Sequence, residues 1–188
     1  MRTVKTISLD YEKSPQEREC DDLRRKARSD ALCYIGISKK TSGRITGWLL
    51  KKGYPDSIID FVIKELADEG MVNDRRIAMA ILDSRNRQKA ESSSSALRRL
   101  LRLGIDRETA KECIEEAYQD RNKEISDAIM LLRLKFTRKI DTMNELDQTE
   151  QRKLKQKMFR YILNRGYDRE TAMRAMNSTL KDYTYEDE

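Results

Sequence analysis

The chain has 188 residues, 38% of them hydrophobic and 38% charged, with 39 basic against 33 acidic side chains and a net charge of +6. It contains no histidine, seven glycines, two prolines and three cysteines. That composition removes the commonest general base and metal ligand, leaves too few turn formers for a β-rich fold, and includes no apolar run near the roughly 20 residues a bilayer span needs.

Taken in chain order, residues 1–18 read as a loosely attached arm with a short strand at 4–9, and 19–37 as a first helix with Ala27, Ala31 and Ile35 on one face. A loop at 39–41 precedes a second helix that ends at Gly53. Pro55 sits where a first-turn proline would open a third helix. The series then restarts. A helix at about 74–88 places Ile77, Ala78, Ile81 and Leu82 together, a loop at 90–94 follows, and two helices flank Gly104. A last helix series begins at about 123–138 with Ile125, Ala128, Ile129 and Leu132, passes a loop at 139–148, and ends with two helices flanking Gly166.

The restart is an internal repeat. Trp48-Leu49-Leu50-Lys51-Lys52-Gly53-Tyr54 aligns with Arg99-Leu100-Leu101-Arg102-Leu103-Gly104-Ile105 and with Tyr161-Ile162-Leu163-Asn164-Arg165-Gly166-Tyr167. After the second and third glycines, Asp-Arg-Glu-Thr-Ala recurs at 106–110 and 168–172. Counting from the glycine, Ile59, Ala110 and Ala172 fall at +6, Val62, Cys113 and Ala175 at +9, and Ile63, Ile114 and Met176 at +10. Upstream, Ile45, Ala96 and Met158 fall at −8, and Leu49, Leu100 and Ile162 at −4. The offsets are those of helix stripes, with each glycine as a left-handed cap and Asp106 and Asp168 as N-caps of the next helix. The expected fold is all-α: three tandem three-helix repeats in an elongated, curved array. The divisions are an arm at 1–18, repeats at 19–70, 71–120 and 121–182, and an acidic tail at 183–188.

Charge is unevenly placed. Residues 37–54 hold five basic and no acidic residues, 85–105 hold six against Glu91 alone, and 152–165 hold six and no acid. Together these stretches carry +16, so the rest of the chain carries −10. With −8, −7, −4 and −3 assigned to the core, the outward face of each middle helix is −9, −6, −5 and −2. Those faces are Arg44, Gly47, Trp48 and Lys51; Ser95, Arg98, Arg99 and Arg102; and Lys157, Arg160, Tyr161 and Asn164. With neighbouring Lys39, Lys40, Lys52 and Lys153, they form the candidate surface for a polyanion, basic residues interleaved with aromatics. A solvated face is the ordinary fate of one basic helix; its recurrence in three repeats is what singles it out. Asp56, Asp60, Glu65, Asp68 and Glu69, then Asp106, Glu108, Glu112, Glu115 and Glu116, make the third helices acidic. They are suited to neighbouring basic helices or to a basic partner.

No GxxxxGK[ST], GxGxxG or CxxC occurs, and no carboxylate pair stands out. No enzyme, catalytic residue, metal or cofactor is expected. Cys20, Cys33 and Cys113 are odd in number and widely spaced, which suits small buried groups in a cytoplasmic chain better than a disulfide framework.

At the junction of the first two repeats stands Leu66-Ala67-Asp68-Glu69-Gly70-Met71-Val72-Asn73-Asp74-Arg75-Arg76-Ile77-Ala78. It resembles the signature of the bacterial RecX family, with Ile77 where that family usually has an aromatic. Leu-Leu-Lys-Lys-Gly-Tyr and Arg-Gly-Tyr are similar to the family's repeat ends, and the likeness runs over about residues 25–182. Ala90, Ser92 and Ser93 stand where the family commonly has glycines and a proline. The resemblance implies three tandem three-helix repeats in a monomer that binds the RecA recombinase–single-stranded DNA filament. It implies inhibition of the filament's ATPase and strand exchange, with a role in DNA repair and recombination. On this reading duplex DNA is bound only weakly; an independent DNA-binding protein without sequence preference, which would bind duplex tightly without recombinase, is the alternative. A scaffold for protein partners alone is a third reading.

Overall fold

A long, charged, leucine- and alanine-rich sequence with strong caps has little choice but helices, and the computed structural model contains them throughout the residues it describes: 14–36, 38–84 and 90–181. In order they are α1 (Pro15–Ile35), α2 (Ser42–Lys51), α3 (Asp56–Asp68), α4 (Asp74–Asp83), α5 (Ser93–Arg102), α6 (Arg107–Ala117), α7 (Arg121–Asp141), α8 (Gln148–Asn164) and α9 (Arg169–Lys181). One 3-10 turn, Met143–Glu145, joins α7 to α8. No strand occurs among the described residues, and the strand expected at 4–9 lies outside them. The acidic tail at 183–188 also lies outside them.

Local chemistry sets most boundaries. Ser14 and Glu17 form a capping box, Ser14 N–H donating to Glu17 Oε2 at 2.7 Å and Glu17 N–H to Ser14 Oγ at 3.3 Å. Helix α1 therefore starts at Pro15, inside what the sequence suggested was the arm. Asp106 and Asp168 cap as expected, accepting from Thr109 and Thr171 N–H at 2.9 and 2.8 Å. Pro55 is the residue before the helix rather than its first residue, and its fixed φ of −65° suits the cap equally well. The loop expected at 139–148 is shorter. Helix α7 runs on to Asp141, and Asp147 and Glu150 form a second capping box that opens α8.

The middle helices end alike. Gly53 (φ +85°) and Gly166 (φ +87°) take the left-handed conformation that ends a helix in a Schellman turn. In the first, Gly53 N–H donates to the Leu50 carbonyl at 2.9 Å and Tyr54 N–H to the Leu49 carbonyl at 3.3 Å. The residue after each glycine, Tyr54, Ile105 or Tyr167, is thereby folded back and buried.

The chain divides into two compact units, with the boundary between Val72 and Asn73. In the first, α1, α2 and α3 pack pairwise around Ala27, Ala31, Ile45, Leu49, Ile59, Val62 and Leu66. The second holds two cores. Ala78, Leu82, Ala96, Leu100, Ala110 and Cys113 form one among α4, α5 and α6. Leu132, Phe136, Met158, Ile162, Ala172 and Ala175 form the other among α7, α8 and α9. The small alanines at the crossings let helix backbones approach, and truncating one of the buried leucines would cost about 2–5 kcal/mol.

Within the second unit the two cores are joined by the segment before α5. Ala90 is buried in the α7–α9 core, Ser93 N–H donates to Glu124 Oε1 at 2.7 Å, and Ser95 Oγ donates to the Arg165 carbonyl at 2.9 Å. Ala90, Ser93 and Ser95 thus form the contact between its second and third helix groups.

Candidate functional site

On α2, α5 and α8 the packing leaves the cations outward. Lys39, Arg44, Lys51, Lys52, Arg98, Arg102, Lys153, Lys157 and Arg160 are exposed; Lys40, Trp48, Arg99 and Tyr161 are half-buried. Among the described residues no carboxylate pairs with Arg44, Lys51, Arg102, Lys153, Lys157 or Arg160. Lone exposed cations keep their full charge for a ligand, whereas paired ones must first give up a partner.

The half-buried members are held differently. In the first unit, Trp48 stacks on Tyr34 of α1 with ring centroids 4.8 Å apart and planes 10° from parallel. Lys52 Nζ lies 4.5 Å from the Trp48 ring and Lys40 Nζ 5.7 Å from the Tyr34 ring. Lys52 also pairs with Asp30 at 3.1 Å, and the Tyr54 hydroxyl donates to Asp30 Oδ2 at 2.7 Å. The hydrogen bonds from Tyr54 and Lys52 hold the Asp30 carboxyl below the usual carboxylate range. Burial, then the bond to Asp30, pushes the Tyr54 phenol up to about 12. Lys40, Trp48 and Lys52 are thus brought together over one aromatic pair.

In the second unit Arg99 pairs with Glu91 at 2.5 Å, and Arg98 Nη2 donates to Ser95 Oγ at 3.1 Å beside the Arg165 carbonyl. Tyr161 of α8 meets Phe136 edge-on at 5.6 Å. Lys135 of α7 sits 4.1 Å above its ring and Arg165 5.3 Å from it, with Arg165 Nη2 donating to its hydroxyl at 3.1 Å. Lys135 was not among the sequence candidates because it belongs to a first helix, outside the charge-run argument. No sequence signal short of a contact prediction would have joined it to Tyr161.

Two expectations change. The core stripe of the middle helices is narrower than −8, −7, −4 and −3. Positions −8 and −4 are buried and −7 (Thr46, Leu97, Phe159) half-buried. Position −3 is exposed: Leu50 at 47%, Leu101 at 38% and Leu163 at 37%. The Schellman turn explains this, because the residue following the glycine covers −4 and leaves −3 about 140° around the helix from −8. The acidic third helices find cations on first helices of their own groups rather than on basic middle helices. Arg28 of α1 bridges Glu65 (3.2 Å) and Glu69 (2.8 Å) of the first unit. Arg75 of α4 bridges Glu112 (3.4 Å) and Glu116 in the second. Both arginines reach carboxylates 37 and 41 positions ahead in the chain. Part of the acidic charge is therefore neutralised internally, while the basic charge is presented outward.

Among the described residues no group of His, Cys, Asp and Glu is placed to hold a metal. Cys113 is a buried free thiol whose ionisation burial opposes. Open clefts among the described residues include one of about 360 Å³ lined by Arg24, Arg25, Arg28, Phe61 and acidic neighbours, and one of about 370 Å³ lined by Leu131, Leu134, Lys135 and Tyr161. No helix among the described residues is long and apolar enough to cross a membrane. What the arrangement offers is a set of fixed positive charges with aromatic neighbours, the chemistry of polyanion binding.

No family model matches the chain. It is similar to the regulatory protein RecX of Prosthecochloris aestuarii, 26% identical over 160 residues that cover 85% of this chain and 97% of that protein. It is also similar to the regulatory protein RecX of Clostridium tetani, 28% identical over 155 residues, covering 82% and 68% respectively. The crystal structure of RecX from Lactobacillus salivarius superposes with a TM-score of 0.68 at 15% identity, covering 85% of this chain and 97% of that one.

Proposed function

We propose that this chain is a RecX-type regulatory protein, on its similarity to the regulatory proteins RecX at 26% and 28% identity, and that it binds the RecA recombinase–single-stranded DNA filament and inhibits its ATPase, and with it recombination and repair activity. The observation that carries this reading is the outward set of uncompensated cations on α2, α5 and α8, repeated in each helix group. A polyanion running past several groups would release counterions at each, so modest individual contacts sum to useful affinity. The residues we assign to this surface are Lys39, Lys40, Arg44, Trp48, Lys51, Lys52, Arg98, Arg99, Arg102, Lys153, Lys157, Arg160 and Tyr161.

No covalent chemistry is part of this role, and no cofactor is assigned. The protein acts by occupancy, as a monomer in the cytoplasm that shifts the filament toward states with lower turnover. The test is ATP hydrolysis by a RecA-type recombinase on single-stranded DNA, with this protein added well below one copy per recombinase. A fall in turnover supports the proposal. Unchanged turnover together with tight binding to bare duplex would replace it with the independent DNA-binding reading.

A further inference from the structure

Trp48 and Tyr161 are the aromatic members of the basic faces, and both rings already carry close cations. Tyr161 is met edge-on by Phe136, with Lys135 Nζ 4.1 Å above its ring and Arg165 bonded to its hydroxyl. Trp48 has the Tyr34 ring on one face at 4.8 Å and Lys52 Nζ at 4.5 Å over the other. Rings stacked that closely leave no room for an ammonium between them, so Lys52 lies on the outer side. Its 3.1 Å pair with Asp30 fixes it there.

Tyr34 differs. It belongs to α1, outside the basic stretches, and is half-buried. Trp48 backs its inner face with planes 10° from parallel. Lys40 stands over the outer face with its Nζ 5.7 Å from the ring centroid, close to the roughly 6 Å at which such contacts lapse. Among the described residues no carboxylate pairs with Lys40, so nothing fixes it there as Asp30 fixes Lys52. Exposed Lys39 and Arg44 flank it in the chain at the start of α2. The Trp48–Tyr34 stack thus ends in an aromatic face under a loosely held cation.

A flat ring joined to a phosphate fits that end. The ring extends the stack, and the phosphate draws Lys40 off the Tyr34 face. An acidic peptide would satisfy the cations and leave the ring face without a flat partner. Duplex bases keep their faces inside their own stack, whereas an unpaired base offers one. We propose that Tyr34 is a nucleobase-stacking residue that takes one unpaired base of a single strand, with Trp48 behind it and Lys40 on the adjoining phosphate. The proposal rests on the nucleic-acid half of the reading above, and it makes the first unit by itself selective for single strands.

The experiment titrates the full chain, Tyr34→Leu and Tyr34→Phe against a fluorescent oligothymidylate, an abasic strand of equal length and a duplex. Leucine keeps apolar contact with the first-unit core, and thermal melting checks that folding is retained. Leucine should lower oligothymidylate affinity about tenfold and change abasic and duplex affinity by under about twofold, while phenylalanine binds all three as the unmodified chain does. Irradiating the unmodified chain on an iodouracil-substituted strand should cross-link Tyr34, a readout that needs no variant to fold. Unchanged oligothymidylate affinity in the leucine variant overturns the proposal, as does an equal loss on the abasic strand or a cross-link at Trp48 or Tyr161 in place of Tyr34. A loss seen only with recombinase filaments also overturns it, and gives Tyr34 to a protein partner. If base stacking at Tyr34 holds but recombinase turnover is unaffected by the chain, the functional reading fails and the stacking site stands.

Discussion

Gly166→Ala tests whether the second and third helix groups are held by close approach. Gly166 has φ +87°, where an L side chain costs about 1–2 kcal/mol. A Cβ there would also fall well inside contact distance of Ser95 Oγ, and 2.8 Å from Ser92 Oγ and 3.0 Å from Arg98 Nη2. Ser95 would have to swing away, giving up its 2.9 Å hydrogen bond to the Arg165 carbonyl, which is worth about 1 kcal/mol. The expected total is roughly 2–4 kcal/mol. Gly53 is the internal standard, because φ is +85° and no atom lies within 4 Å of its added Cβ. Gly53→Ala should cost the conformational strain alone, about 1–2 kcal/mol. Urea unfolding followed by circular dichroism, with each unit fitted at its own transition, gives both numbers. Ser95→Ala removes the atom nearest the new methyl, so the pair Ser95→Ala/Gly166→Ala should be less destabilised than the two single changes added together, by about 1 kcal/mol. Equal costs for Gly53→Ala and Gly166→Ala, with strictly additive behaviour in the pair, would refute the idea that contact at this point joins the two groups.

Other outcomes follow from the same structure. Reversing Arg44, Lys51, Arg102, Lys157 and Arg160 to Glu takes net charge from +6 to −4; oligonucleotide affinity should collapse while thermal midpoints hold, since exposed sites usually shift stability by under about 0.5 kcal/mol each. If five to eight cations engage phosphates, log K against log salt on single strands should slope at roughly −3.5 to −6, and a flat dependence would count against the electrostatic face. Arg75→Met should release Glu112 and Glu116 at a cost below about 1 kcal/mol that shrinks in high salt, read by unfolding at two ionic strengths. The depressed Asp30 carboxyl adds stability above its unfolded pKa that is lost as pH falls through its folded value, and the raised Tyr54 phenol adds stability below about pH 10 that is lost toward 12. Tyr54→Phe should therefore destabilise the first unit at neutral pH and approach wild type in acid, a convergence that unfolding midpoints at pH 2–7 would reveal.

Much was legible in the sequence because helical periodicity and caps are local. The glycines at 53, 104 and 166, the caps at Asp106 and Asp168, and the buried −8 and −4 columns are consequences of short-range chemistry, and the structure places them as read. The all-helical class followed from the same repeated spacing. What spacing could not supply was anything that depends on how much of a stripe a neighbour covers. Position −3 belongs to the apolar stripe by composition, yet the folded-back residue after the glycine shields −4 and leaves Leu50, Leu101 and Leu163 outside. Nor does a charge run say which ions will meet. Arg28 and Arg75 reach carboxylates 37 and 41 residues away, and Lys135 finds Tyr161 across two helices, because packing rather than sequence distance brings their long side chains together. The serines before α5 make the same point. Ser92 caps α5 by accepting from Ser95 N–H, a local contact, but only the tertiary fold sets Ser95 against the α8 terminus, where the missing side chain of Gly166 makes room for it.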